Sequence, residues 1–152
     1  MTQTNLEATI VETITIDAPR AAVFAALTEP DQLTAWWGSD DSYRCATMER
    51  DLRAGGAWNT TGRGSDGKPF SVAGVYRIVE PPARLEFTWR YDWHDGATDA
   101  PETIVRYDLA EHGALATALT VTHSGFTSPG DRDDHVRGWK TVLGWLRGYL
   151  TR

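Results

Sequence analysis

DRDDHVRGWKTVLGWLRGYLTR, residues 131–152, is the stretch on which the fold turns. Its apolar residues fall at Val136, Trp139, Val142, Leu143, Leu146, Tyr149 and Leu150. Gaps of three and four set them on one stripe of a 3.6-residue helix. Ser128-Pro129 with Asp131 resembles a capping box, with proline at the first helical position. Asp131, Asp133 and Asp134 suit the positive N-terminal end, and Arg147 and Arg152 the negative C-terminal end. Otherwise the three aspartates read as a solvated helix start. Gly138, Gly144 and Gly148 work against the helix, at about 1 kcal/mol each relative to alanine. Packing must therefore hold it. The reading predicts that sheet or first-helix side chains come close at Gly138 or Gly144, so that leucine there destabilises the fold.

Upstream the apolar period drops to two. Residues 7–17 alternate, with Ala8, Ile10, Ile14 and Ile16 on one face. Two short helices follow, 20–27 and 31–36, opened by Pro19 and Pro30 and closed by Gly38. Strands are then expected over 43–50, 57–63, 69–80, 84–93, 102–110 and 114–123, with Gly74 marking a bulge. Residues 84–93 carry the clearest alternation, Leu85, Phe87, Trp89, Tyr91 and Trp93 against Glu86, Thr88, Arg90 and Asp92. Leu115, Thr117, Leu119, Val121 and His123 share a face of the last strand. Short turns between consecutive strands imply an antiparallel sheet. Such a sheet must cover one face, and the only long helix is the last. The predicted fold is α+β: a curved antiparallel sheet of about six or seven strands around a long C-terminal helix, with two short helices after the first strand. One domain spans 1–152, with 1–6 as a loose terminus.

Composition narrows the function. A net charge of -6 argues against nucleic acid or an anionic membrane as main partner. There is no run of 18 apolar residues to insert in a bilayer. The polar N-terminus lacks a signal-peptide pattern, so a cytoplasmic chain is expected. The single cysteine, Cys45, allows no internal disulfide and reads as a small buried residue. Seven tryptophans form either an aromatic core or the walls of an open cavity.

Several motifs tempt. Gly62-Arg63-Gly64-Ser65-Asp66-Gly67 fits G-x-G-x-x-G, but Pro69 and a strand follow where a phosphate site needs a helix; it reads as a hairpin turn. Asp92, His94, Asp95 and Asp99 form an acidic loop that matches no metal-site spacing, so neither metal nor cofactor is expected. His94 and His135 complete no zinc motif. Ser124 beside His123 is no hydrolase couple. Arg106, between Val105 and Tyr107, reads as solvent-facing. His123 alone carries chemical interest. Its face meets the helix, so it is either a hydrogen-bonded structural histidine or a cavity group that orients a ligand or moves a proton. It is the one weak catalytic candidate.

Five segments, ITIDAPRAAVFAALTEPDQLTAWWG (14–38), LRAGGAW (52–58), DGKPFSVAGVYRIVEPPARLEFTW (66–89), LTVTHSGF (119–126) and HVRGWKTVLGWL (135–146), give the sequence a family resemblance. Together, in this order, they resemble the START-like (SRPBCC, helix-grip) superfamily, and within it the homologues of the activator of Hsp90 ATPase. The resemblance implies a helix-grip fold with a hydrophobic cavity between sheet and last helix. Trp36-Trp37-Gly38 then borders the cavity mouth, one tryptophan in the core and the other a lid or partner-binding aromatic. Trp37, Trp58, Tyr76, Phe87, Trp89, His123, Trp139 and Leu143 are expected to line the cavity. The leading expectation is non-enzymatic binding of a small apolar or aromatic ligand, such as a lipid. The resemblance also implies a chaperone-interacting, stress-linked protein, or a cyclase or dehydratase acting on polyketide-like substrates. The eukaryotic activator's extra chaperone-binding domain finds no counterpart in these residues. The resemblance allows a homodimer.

Overall fold

The computed structural model describes residues 9–39, 43–93, 102–127 and 129–151. The chain runs β1 (Thr9–Ile16), α1 (Arg20–Thr28), α2 (Pro30–Trp36), β2 (Tyr43–Arg50), β3 (Ala57–Gly64), β4 (Pro69–Glu80), β5 (Arg84–Trp93), β6 (Thr103–His112), β7 (Ala116–Ser124) and α3 (Pro129–Leu150). The seven strands form one curled antiparallel sheet in the order β1-β7-β6-β5-β4-β3-β2. This is the helix-grip arrangement, and α3 packs against β1, α1 and α2.

Alternation decides what the concave face carries. Buried residues recur at every second position of β3, β6 and β7, and their neighbours face out. Strand register then aligns one row across the sheet, Ile10–His123–Val105–Phe87–Tyr76, each opposite the next. Arg106 falls on the convex face, ion-paired to Glu86 at 3.9 Å and Asp108 at 3.0 Å. The apolar stripe of α3 is buried at Trp139, Val142, Leu143 and Leu146, the last fully. Arg147 near its C-terminus donates to the Thr15 carbonyl at 3.1 Å.

Three expectations need correction. A Cβ at Gly138 or Gly144 meets nothing within 4 Å, and both residues are exposed. The close approach predicted there does not exist: Gly138 lies at the edge of the cavity and Gly144 faces out, while the buried contacts of α3 run through Trp139, Val142, Leu143 and Leu146. Gly74 is not the bulge; the register shifts between Tyr76 and Ile78. Instead Gly74 is a point of close contact, since a Cβ there would lie 1.8 Å from the Thr88 carbonyl oxygen. Leu115 lies in the turn before β7 and is 77% exposed, not on the inward face. Ser128, expected to cap α3, and most of the acidic loop, with His94, Asp95 and Asp99, lie outside the described residues, as does the side chain of Asp92.

Nothing in the structure requires glycine at 144 or 148, since a Cβ at either site meets open space. Gly144→Ala and Gly148→Ala are each expected to raise the unfolding free energy by about 0.5–1 kcal/mol, through helix propensity and a less flexible unfolded chain. Urea unfolding of the two variants checks this. A loss of stability in either would mean that the space is used.

Candidate functional site

Between the concave face and α3 the side chains leave a cavity of about 500 Å³. Its floor comes from β2–β7 and its roof from α3, with Leu27, Leu33 and Trp37 closing one side. It reaches the surface beside Asp134 and Gly138, both exposed. Trp37, Trp58, Tyr76, Phe87, Trp89, His123 and Trp139 all line it. Leu143 does not. It is buried in the core on the other side of the stripe.

Trp36 and Trp37 divide the two roles expected of them. Trp36 is core, its indole N–H donating to the Ala26 carbonyl at 2.8 Å. Trp37 turns to the cavity and donates to the Tyr43 hydroxyl at 3.1 Å. Its ring stacks on Trp89 at 6.2 Å and meets Trp139 edge-on at 6.0 Å. Trp58 adds an edge contact to Phe87 at 5.3 Å and lies 5.8 Å from Trp89. These spacings sit within the range where aromatic pairs attract. The indole N–H groups of Trp58 and Trp89 are buried without a hydrogen-bond partner. An unpaired buried donor costs about 1–3 kcal/mol, so the wall stores some instability.

His123 is fully committed. The Trp139 indole N–H donates to its Nδ1 at 3.0 Å, which makes Nδ1 an acceptor. The proton then sits on Nε2, which donates to the Thr103 hydroxyl at 2.7 Å. Thr103 in turn donates to the Trp89 carbonyl at 3.2 Å. This chain ties α3 to β7, β6 and β5. Burial, with a smaller push from nearby His135, drives the His123 pKa down to about 3. Neither nitrogen is offered to the cavity. The arrangement suits the structural reading of His123, and it leaves a general base without a lone pair to use.

The buried thiol and phenols of the wall keep their protons at neutral pH. Burial pushes the Cys45 thiol up to about 11, against a hydrogen bond from Thr60. That is the inert small residue expected at this position. Sequence reasoning missed Thr103 and Tyr107, although both line the cavity. The signal was available: a solvent-facing Arg106 puts Val105 and Tyr107 inside, and Thr103 follows by alternation. The G-x-G-x-x-G segment is the β3–β4 turn, with Gly67 at φ +79° and its N–H on the Gly64 carbonyl at 2.9 Å. Among the described residues no group of three or more His, Cys, Asp or Glu could hold a metal ion. No helix among them is long and apolar enough to cross a membrane.

Known proteins place this geometry. No protein of curated function matches the sequence. CV1439 from Chromobacterium violaceum has the same fold, with a TM-score of 0.82 at 24% identity over 95% of this chain and 99% of its own. CalU16 from Micromonospora echinospora is similar, with a TM-score of 0.71 at 26% identity over 94% of this chain and 76% of its own. DynU16, from the dynemicin biosynthetic locus, gives a TM-score of 0.73 at 26% identity over 94% of this chain and 47% of its own. The family model described as activator of Hsp90 ATPase homolog 1-like protein matches residues 17–151. The chain belongs to this activator of Hsp90 ATPase homolog 1-like family, within the START-like superfamily.

Proposed function

We propose that the protein binds a small apolar or aromatic molecule between its sheet and α3, without transforming it. The observation that carries this reading is the cavity itself. Its volume of about 500 Å³ falls within the roughly 300–1,000 Å³ of small-molecule pockets. Its walls are dominated by aromatic rings, and one side opens to solvent. A well-packed core of this size leaves few voids larger than a water molecule, so the space calls for an occupant. DynU16 comes from a biosynthetic locus, a setting of small-molecule chemistry that suits the reading.

Gly138 offers the test. It borders the mouth, and a Cβ there meets nothing within 4 Å. Titration with N-phenyl-1-naphthylamine should quench tryptophan emission and saturate. Gly138→Trp should keep the melting temperature but weaken that binding about tenfold by narrowing the mouth. If binding does not saturate, or is the same in the variant, the ligand does not occupy this cavity.

A further inference from the structure

Two hydroxyls in the cavity wall are unclaimed. Tyr76 on β4 and Tyr107 on β6 are 3% and 2% exposed, and both line the cavity. Among the described residues neither hydroxyl makes a hydrogen bond. The other two described tyrosines with partly buried rings differ: Tyr43 accepts from Trp37, and Tyr149 bonds Gln32. Side chains stand roughly perpendicular to a sheet. On the concave face, each hydroxyl is therefore the part of its residue deepest in the space under α3. The two phenols flank Phe87, with ring centroids 6.2 and 5.5 Å from it. Burial pushes the Tyr76 pKa up to about 12 and that of Tyr107 higher still. Both phenols keep their protons at neutral pH and are donors.

Apart from the Trp58 and Trp89 indole N–H groups, which are unpaired but buried within the wall itself, the other hydrogen-bonding groups named above are occupied. Thr103 and His123 bond each other, Trp139 bonds His123, and Cys45 bonds Thr60. Among the described residues no lysine or arginine lines the cavity. Arg50, whose charge Tyr76 feels, is held by the Thr28 carbonyl at 2.5 Å and Glu29 at 3.1 Å. At the mouth stands Asp134, ion-paired to Arg137. Among the described lining residues a carboxylate ligand would find no lysine or arginine to pair with, at a high desolvation cost. A purely hydrocarbon ligand would leave two buried donors unpaired, at a cost of about 1–3 kcal/mol each.

We infer that the ligand is a neutral, flat aromatic molecule bearing a carbonyl oxygen, which accepts a hydrogen bond from the Tyr76 or Tyr107 hydroxyl. Ring faces and edges supply area, and the two donors fix orientation. The inference rests on the binding function proposed above.

9-Fluorenone and fluorene test it. They share a shape and differ only in C=O against CH₂. The protein should bind fluorenone about tenfold tighter than fluorene, the equivalent of one hydrogen bond. Calorimetry or tryptophan quenching reads both. Tyr76→Phe and Tyr107→Phe remove only an oxygen each, and the double variant should erase the preference while leaving fluorene affinity within about twofold. If both probes bind equally, or the double variant keeps the preference, the inference is overturned while the binding function stands. A matching loss of fluorene affinity in the variants would also overturn it, since the tyrosines would then shape the cavity and not donate. If neither probe binds, the binding function falls, and the inference with it.

Discussion

Gly74→Val lowers the unfolding free energy by about 3 kcal/mol, at the upper end of overpacking costs. The reason is local and steric. Gly74 lies on the concave face of β4, opposite Trp58 on β3. A Cβ there would stand 1.8 Å from the Thr88 carbonyl oxygen and 2.7 Å from its carbon. Both are backbone atoms held in the β4–β5 ladder, so they cannot step aside as a flexible side chain would. The same Cβ would reach within 2.8 Å of the Trp58 indole nitrogen. Trp58 is packed against Trp89 and Phe87, so its displacement would travel along the cavity wall. For a chain of this length the expected drop in melting temperature is about 6–12 °C. Ala73→Val is the control. Residue 73 is exposed on the convex face, and its change should stay within about 0.5 kcal/mol. Urea unfolding of both variants decides the matter. A Gly74→Val protein as stable as the parent would show that the strands can part there at little cost.

Gly74 also marks a limit of sequence reading. A glycine inside a strand signals either a bulge or a close approach, and the two look alike in sequence. The bulge sits two to four residues further on, between Tyr76 and Ile78, with no glycine to flag it. Alternation did place the inward faces of β5 and β7, because one buried face imposes its period on the chain. It even contained Tyr107 and Thr103, through Arg106. The helix stripe was legible in the same way, but not which half of it roofs the cavity. At about 100° per residue, Val142 lies about 60° to one side of Trp139 and Leu143 about 40° to the other. Val142 shares its side with His135 and Gly138, which all line the cavity. Leu143 falls on the core side. Only the docking angle of α3 settles that, and the angle is a property of the whole core. The α3 glycines mislead for a related reason. A glycine in a helix advertises a need that tertiary structure does not always have.

The His123 imidazole is expected to stay neutral in the native protein down to about pH 3, and stability to fall as pH drops from about 6.5 toward that value. The sign follows from which state takes the proton. In the unfolded chain the imidazole titrates near its ordinary value. In the native state, burial and the Trp139 N–H on Nδ1 oppose protonation. Across that window the unfolded state binds one proton more, which makes acid destabilising by about 1.4 kcal/mol per pH unit. The whole window amounts to something on the order of 5 kcal/mol, a large share of a typical domain's stability. Carboxylates add their own slope below about pH 5, so the measurement must isolate the histidine. His123→Gln serves: it keeps a polar side chain and cannot titrate. Urea unfolding at several pH values between 4.5 and 6.5 should give a slope shallower by about one proton in the variant. An NMR titration of the imidazole reads the native state directly. A ring that protonates near pH 6.5 without loss of structure would refute the committed hydrogen-bond chain, since a charged His123 would set an Nδ1 proton against the Trp139 N–H. The same chain pins Trp139 at the boundary between core and cavity roof, and its loosening in acid should weaken fluorophore binding before the sheet unfolds.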